Sequence, residues 1–503
     1  MKKLTVMFLS TVMLFGVIIG SSASASPAQP TFKEEVVIAT SGVVTMFDPQ
    51  RNNMTINKTV YYSTFSTLFK LDFEKKEFYG DLVESYTIDD AGLVWKFKLR
   101  EGVKFHDGGA LTANDVKFTY ERARTSSHQA TKVDIIKEIT VVDDYNLEFV
   151  LLTPNQEFFE SITDPGMSIL SQAALTADEV KGLTIGSGAY YVKEYVPEDY
   201  CLLERFDDYF GEKPKTQRIR FRKIAEDSAR VIALQTGEID ICLLVPSIEV
   251  KRITEDKKLE LLQVPSGRIV YMALNQSVAP FDNLQVRQAV AKTIYRDDII
   301  LASEDGMAAP TNKAIPWTCI MYPEGVTGYS HDPEAAKALL AQAGHANGLE
   351  FSMMIDNAQW STVAEVLQAQ FGEIGVNAKI ELLEMAVSDA RVANNDYQVL
   401  ISAYSFTTAT DIPLRSLFYS TGVYNEAKFK DALLDKMLDD GIVESDPVKR
   451  LDIYRQIDQR IMDSAAWLPI FSPHQNSGVR VGVSGVAWAN NGRHDFTYTY
   501  MPQ

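Results

Sequence analysis

Apolar and charged residues alternate one for one between Leu93 and Leu99. Trp95, Phe97 and Leu99 fall on one face, Lys96 and Lys98 on the other. That period of two predicts a half-buried strand. Before it, Asp89-Asp90-Ala91-Gly92 combines short carboxylates with a glycine free to take positive φ, a turn. After a second turn at Glu101-Gly102 the period changes. Thr112, three residues ahead of Asp115, predicts a capping-box helix start, and Val116, Tyr120 and Ala123 give that helix its buried face. Glu35 to Ala39 reads as a buried strand leading into an Asp48-Pro49 turn, and the apolar run Val60 to Phe69 as a helix. Leu147 to Leu151 follows an Asp143-Asp144 turn as a further strand, ended by Pro154. Ala229 to Ile239 gives a helix with Val231 and Leu234 on its face, stopped by Gly237, and Glu238-Ile239-Asp240 opens a strand. Asp332-Pro333 and Asp446-Pro447 each place a capping residue before a first-turn proline. Strands and helices interleave throughout, and no internal repeat is visible.

At 503 residues the chain is too long for one simple core, so two or three lobes are expected. The net charge is −18. Met1 to Ala25 reads as a secretory leader: Lys2-Lys3, an apolar stretch from Leu4 to Gly20, and the small-residue cleavage site Ala23-Ser24-Ala25. The rival, an uncleaved anchor, is opposed by Thr5, Ser10 and Thr11 in a run already short of about 20 residues. The leader holds two lysines and no acid, so the mature chain carries −20. A surface this acidic argues against nucleic acid or anionic membrane as a partner. With no Cys near the cleavage site a lipid anchor is not expected, which points to a periplasmic protein. Cys201, Cys242 and Cys319 are too few and too scattered for a disulfide framework or zinc site. A Cys201–Cys242 disulfide and three buried free thiols both stay open. The six histidines show no pair at ligand spacing, so no metal or other cofactor is expected.

The string from Leu82 to Arg122 says more than its periodicity. Leu82, Glu84, Ser85, Gly92, Phe97, Leu99-Arg100, Val103, Phe105-His106-Asp107-Gly108, Leu111-Thr112-Ala113, Asp115-Val116 and Glu121-Arg122 closely resemble the signature of the extracellular solute-binding proteins of family 5. That family comprises the peptide-, nickel- and opine-binding receptors of ABC importers. Gly186-Ser187-Gly188-Ala189-Tyr190 resembles a second family segment, with Ala189 in place of a proline. Read cold it could cradle phosphate or carry a nucleophile, but it has no third Gly, no Lys and no Gly-x-Ser-x-Gly spacing. A structural crossing is the better reading. Tyr209-Phe210-Gly211-Glu212-Lys213-Pro214 resembles a family turn, with Phe210 where Trp is usual. Tyr271 to Asn275 with Pro280 to Ala289 looks like the family's hinge, and Trp467 to Phe471 like the strand returning to the first lobe. The resemblance implies an α/β two-lobed periplasmic binding protein (type II, cluster C-like) with an extra subdomain inserted in lobe I. The expected parts are the leader 1–25, lobe I from 26–55, 181–274 and 478–503, the subdomain 56–180, and lobe II 275–477. Such lobes close on a ligand like a hinge.

The resemblance also nominates ligand-binding residues. Peptide-binding members hold a free α-amino group with an Asp shortly after an aromatic. Here Tyr404 takes the aromatic place, but Phe406 to Thr408, with Thr407 among the site candidates, hold no acid. A buried ammonium needs an anionic partner, so ordinary di- and tripeptides are expected to bind weakly. The preferred ligand would present carboxylates to arginine, Arg391 first and Arg415 second. Surface arginines are the plainer reading of both. Trp360 could pack on a ligand or sit in the core. Asn57 lies beside the first ligand-facing loop, and Tyr271 and Asn275 near the hinge. His106, inside the signature, reads as structural. The function implied is a monomeric periplasmic receptor that takes a peptide-like small ligand, with an opine or metal chelate open, to an inner-membrane ABC permease. A secreted hydrolase using paired carboxylates and a sensor subunit without transport are the rivals; no motif nominates a catalytic pair.

Overall fold

The computed structural model describes residues 31–489 and 494–503, so the expected leader lies outside the described residues. Segments far apart in sequence build one twelve-stranded sheet. In order its path runs Val376–Leu382, Leu349–Ile355, Val399–Ser405, Arg268–Leu274, Trp467–Arg480, Ile241–Cys242, Glu35–Thr40, Arg218–Lys223, Tyr200–Arg205 and Tyr190–Val196. The strand Trp467–Arg480 belongs to two halves of this sheet. Its first residues pair with Arg268–Leu274, and its last with Leu259–Pro265 and Ile241–Cys242. The chain therefore crosses between halves twice, at Ser266-Gly267 and at Ser472-Pro473. The crossings are tied together, Ser266 N donating to Pro473 O at 2.9 Å and Ser472 Oγ to Ser266 O at 2.5 Å. The strand expected to lie in the first lobe, Arg268–Leu274, pairs with Val399–Ser405 of the second half along its whole length.

Each half is covered on both faces, as a sheet with parallel strands must be. In the second half, Val270, Met272 and Leu274 pack with Val290, Leu367 and Phe371. On the opposite face Tyr271 packs with Trp467, Leu414 and Tyr454. In the first half, Val36, Ile38, Ile219 and Phe221 form the corresponding core. A separate four-stranded antiparallel sheet comes from residues 83–151 and has its own core, including Trp95, Phe97, Val116, Tyr120 and Phe149.

The strand Val94–Leu99 buries Trp95, Phe97 and Leu99 and exposes Lys96 and Lys98. The helix Ala113–Ala123 begins with the Thr112–Asp115 capping box, and Gly92 has φ 71°. Between Val60 and Phe69 the outcome differs. The helix is Thr55–Thr64, and Phe69–Asp72 is already a strand. Phe65 and Leu68 are buried, and a run of apolar residues interrupted only by Ser63, Thr64, Ser66 and Thr67 carries no clear period to separate helix from strand. Gly186 and Gly188 lie against backbone: a Cβ at either would run into the carbonyl oxygens of Thr64 and Ser63. That crossing is structural packing. His106 joins it, accepting from Gly186 N at 3.2 Å and lying 3.0 Å from Gly188 O; burial holds its pKa down to about 4.

All three cysteines are free and buried. Cys201 and Cys242 cannot be bridged. Strands Glu35–Thr40 and Arg218–Lys223 lie between theirs, a separation of roughly 14 Å at the usual strand spacing.

The segment carrying the small sheet is bonded to the second half as well as the first. Buried Glu157 accepts from the backbone N–H groups of Thr410 (2.6 Å), Asp411 and Ile412 (3.1 Å), at the start of the helix Asp411–Phe418. An anion there satisfies orphan donors and suits the helix dipole. Lys76 Nζ donates to Cys319 O at 3.1 Å, and Gln156 N to Ile442 O at 2.9 Å.

Candidate functional site

In open α/β sheets, ligands bind beyond the carboxyl ends of the parallel strands. In the second half those ends are Ile355 and Leu382, with Ser405 on the neighbouring parallel strand. A cleft of about 620 Å³ opens beside them, lined by Tyr271, Asp356, Asp389, Ser402, Tyr404, Tyr424, Glu426 and Lys428 among others. Its charged lining is mostly acidic. Lys428, the basic residue of the wall, donates to Val392 O at 3.2 Å. Glu426 accepts a 2.6 Å hydrogen bond from the Tyr271 hydroxyl. Burial pushes its carboxyl up to about 7, and Asp356 and Asp389 push the same way while the Tyr271 bond opposes them. Burial also raises Asp356, with Asp389 adding to it. Three carboxylates with so little positive charge among them make a site prepared for a cation. Tyr404 and Tyr424, ring centroids 5.8 Å apart, supply an aromatic wall.

Arg268 begins its strand opposite Ser405, in step with Val270 and Met272 and so on the sheet face opposite Tyr271. Its guanidinium lies 5.2 Å from the centre of the Trp360 ring. Among the described residues it has no side-chain hydrogen bond, and no carboxylate lies within 4 Å of it.

The first half presents a different surface at its own carboxyl ends, Thr40 and Cys242. A hollow of about 360 Å³ there is lined by Thr40, Ser41, Gly42, Met54, Thr55, Ile56, Thr59, Leu243, Leu244, Gln475 and His494. Burial holds His494 down to about 4, and none of the other lining residues named is charged at neutral pH. Met54 is 51% exposed and Leu244 53%.

Of the residues nominated from sequence, the fold brings Tyr271 and Tyr404 together in the acidic cleft and places Trp360 beneath Arg268. The others are engaged elsewhere. Asn57 is fully buried and holds the preceding loop through Thr45 N and Met46 O. Asn275 is likewise buried and binds Tyr397 O and Ser277 N. Thr407 Oγ1 accepts from Ala409 N at 3.2 Å. Arg391 is paired with Glu381 at 2.5 Å and Asp396 at 3.4 Å. Arg415 is paired with Asp411 and with Asp439, the latter at 2.8 Å. Asp356, Asp389, Glu426 and Arg268 were not nominated. Asp356 had a usable signal, since it directly follows the buried strand Leu349–Ile355. The described residues include no cluster of His, Cys, Asp or Glu able to hold a metal ion.

A sequence profile of the bacterial extracellular solute-binding proteins, family 5 Middle, matches residues 77–426. The chain belongs to this family. The glutathione-binding protein GsiB of Escherichia coli O1:K1 / APEC is 28% identical over 456 residues, covering 87% of this chain and 88% of that protein. The structure of HbpA2 from Haemophilus parasuis superposes with a TM-score of 0.88 at 22% identity, over 93% of this chain and 100% of that one. The ABC transporter-associated periplasmic binding protein DppA from Helicobacter pylori, in complex with the peptide STSA, gives 0.71 at 23% identity, over 94% and 99%. The fold is thus the α/β two-lobed fold of periplasmic binding proteins. The protein is a periplasmic solute-binding component of an ABC importer and not an enzyme. No described helix is long and apolar enough to cross a membrane.

Proposed function

We propose that this receptor captures a small peptide-like molecule carrying a free ammonium group, glutathione being the first candidate, and delivers it to its permease. The observation that carries this reading is the acidic cleft. Asp356, Asp389 and Glu426 supply, from three other segments, the negative charge absent from Phe406 to Thr408. The expected discrimination against free amino termini is therefore replaced by the opposite preference. The glutathione-binding relatives and the peptide held by the Helicobacter protein support the same ligand class. An opine or metal chelate rich in carboxylates is disfavoured by repulsion from that wall. We place lobe I, with segment 56–180 as its subdomain, and lobe II on either side of the paired crossings at Ser266-Gly267 and Ser472-Pro473. We read the mature protein as a monomer beginning near Ser26.

Calorimetry with glutathione, a tripeptide library and the same compounds N-acetylated tests the reading. Binding that disappears on acetylation is expected. Binding indifferent to acetylation, or confined to compounds without an amine, would overturn it. Native mass spectrometry of protein purified without refolding identifies the ligand it carries.

A further inference from the structure

A polar atom taken out of water without a hydrogen bond destabilises a protein until something fills it. Among the described residues lining the lobe I hollow and the acidic cleft, Gln475 is the one with such a side-chain atom. Its Oε1 is buried and has no partner. Other carboxamides of this chain are gripped on both sides. Gln370 accepts from Tyr295 N and donates to Tyr295 O, each at 3.0 Å. Gln50 donates to Thr119 O at 2.8 Å and accepts from Arg122 at 2.6 Å.

The strand Trp467–Arg480 fixes where this carboxamide stands. Gln475 lies opposite Val264 in the antiparallel ladder, just past the tied crossing at Ser472-Pro473. Alternation puts it on the sheet face of Val479, which packs with Ile38 and Leu243. Thr40 shares the face of Ile38, and Thr40, Leu243 and Gln475 meet in the lining of the hollow. The neighbouring Asn476, on the other face, already accepts from Gln263 Nε2 at 3.1 Å. A carboxamide matches a peptide group, which offers one N–H and one C=O. An ammonium gains more from the carboxylates of the other wall.

We propose that Gln475 reads the ligand's peptide bond: its Oε1 accepts from a backbone amide N–H of a ligand whose ammonium faces Asp356, Asp389 and Glu426. This deepens the reading above and rests on it. The occupant is a molecule with an uncharged secondary amide a short way from its free amine. The lobe II wall then recognises charge, and Gln475 recognises the bond common to all peptides, whatever side chains flank it. A site that leaves its own acceptor unfilled discriminates against molecules without the matching donor. Single amino acids are therefore refused although they carry the ammonium.

Calorimetry with glutathione and trialanine, each methylated at one peptide nitrogen at a time, tests this on the wild type and Gln475→Met. Methionine keeps the length of the side chain and removes its hydrogen bond. In the wild type, methylation of one of the two nitrogens is expected to weaken binding by about tenfold or more. Gln475→Met should bind the parent compounds about tenfold more weakly, and the same methylation should then have almost no further effect. An equal methylation penalty in both proteins would mean a clash with the methyl group and overturns the peptide-bond contact. So does a wild type indifferent to methylation at either nitrogen. Ligand-free Gln475→Met should melt at the wild-type temperature or above, because it loses an unfilled buried polar atom. A lower melting temperature would assign the carboxamide to the fold and overturn its role in binding. Each of these failures leaves the ammonium reading standing. A wild type that binds neither parent compound overturns both.

Discussion

The two walls of the binding region are built by the same rule and carry opposite chemistry. Each lies at the carboxyl ends of parallel strands in its own half of the sheet. The lobe I wall is neutral: Ser41, Gly42, Met54, Ile56, Leu243 and Leu244 offer backbone groups and apolar contact. The lobe II wall has three carboxylates, one lysine and three tyrosines. On the proposed reading, discrimination resides in lobe II, and lobe I supplies exclusion of water and a surface indifferent to side-chain identity.

The comparison breaks most easily at Glu426. Glu426→Gln removes the charge but keeps the shape, and at pH 8 it is expected to weaken binding of an amine-bearing ligand by about a hundredfold or more. Leu244→Ala on the opposite wall should cost less than about tenfold. Calorimetry on both variants checks the contrast; equal losses would mean that recognition is shared between lobes.

Next in size is a pH effect. Glu426 titrates near 7 when the cleft is empty, and the ammonium needs its charged form. Affinity should rise about tenfold from pH 6 to pH 8, and Glu426→Gln should flatten the profile. A wild-type affinity that falls over this range would show that the protonated acid is the binding form.

The same group produces a smaller effect on stability, of opposite sign. Glu426 and Asp458, both pushed up to about 7 by burial, bind protons more tightly folded than unfolded. Their contribution is complete at low pH and is lost as pH rises through 7. The ligand-free protein should melt lower at pH 8 than at pH 6.5, by about 2 °C. Below 6.5 the buried His106 and His494, held near 4, act the other way. Scanning calorimetry of the wild type and Glu426→Gln, whose shift should be smaller, provides the check. The smallest effect is on shape: the radius of gyration should fall when ligand saturates the cleft, as small-angle scattering measures.

Much of this architecture is legible in the chain itself. The family signature, the Trp95-Phe97-Leu99 alternation, the Thr112–Asp115 box and the Asp332-Pro333 and Asp446-Pro447 helix starts are local patterns, and local patterns survive folding. The site was less legible because its chemistry depends on pairing. Nothing near Arg391 in sequence announces that Glu381 and Asp396 will occupy it. Glu426 lies in a loop without period, and its significance arises only when Tyr271, 155 residues earlier, points at it. Cys201 and Cys242 failed as a pair for the same reason, since strand order cannot be read from spacing.

The strand Trp467–Arg480 has a bearing on how this receptor could be turned into a sensor. Both lobes are stitched to the same fourteen residues, so among the described residues no slack linker joins them at this crossing. One residue inserted near Ser472 would turn every later side chain to the opposite face of the lobe I sheet. Two would restore the faces but slide that half by about 6.6 Å against its partners. Fusions that report closure belong instead on exposed tips off this strand, such as the Asp89-Asp90 turn.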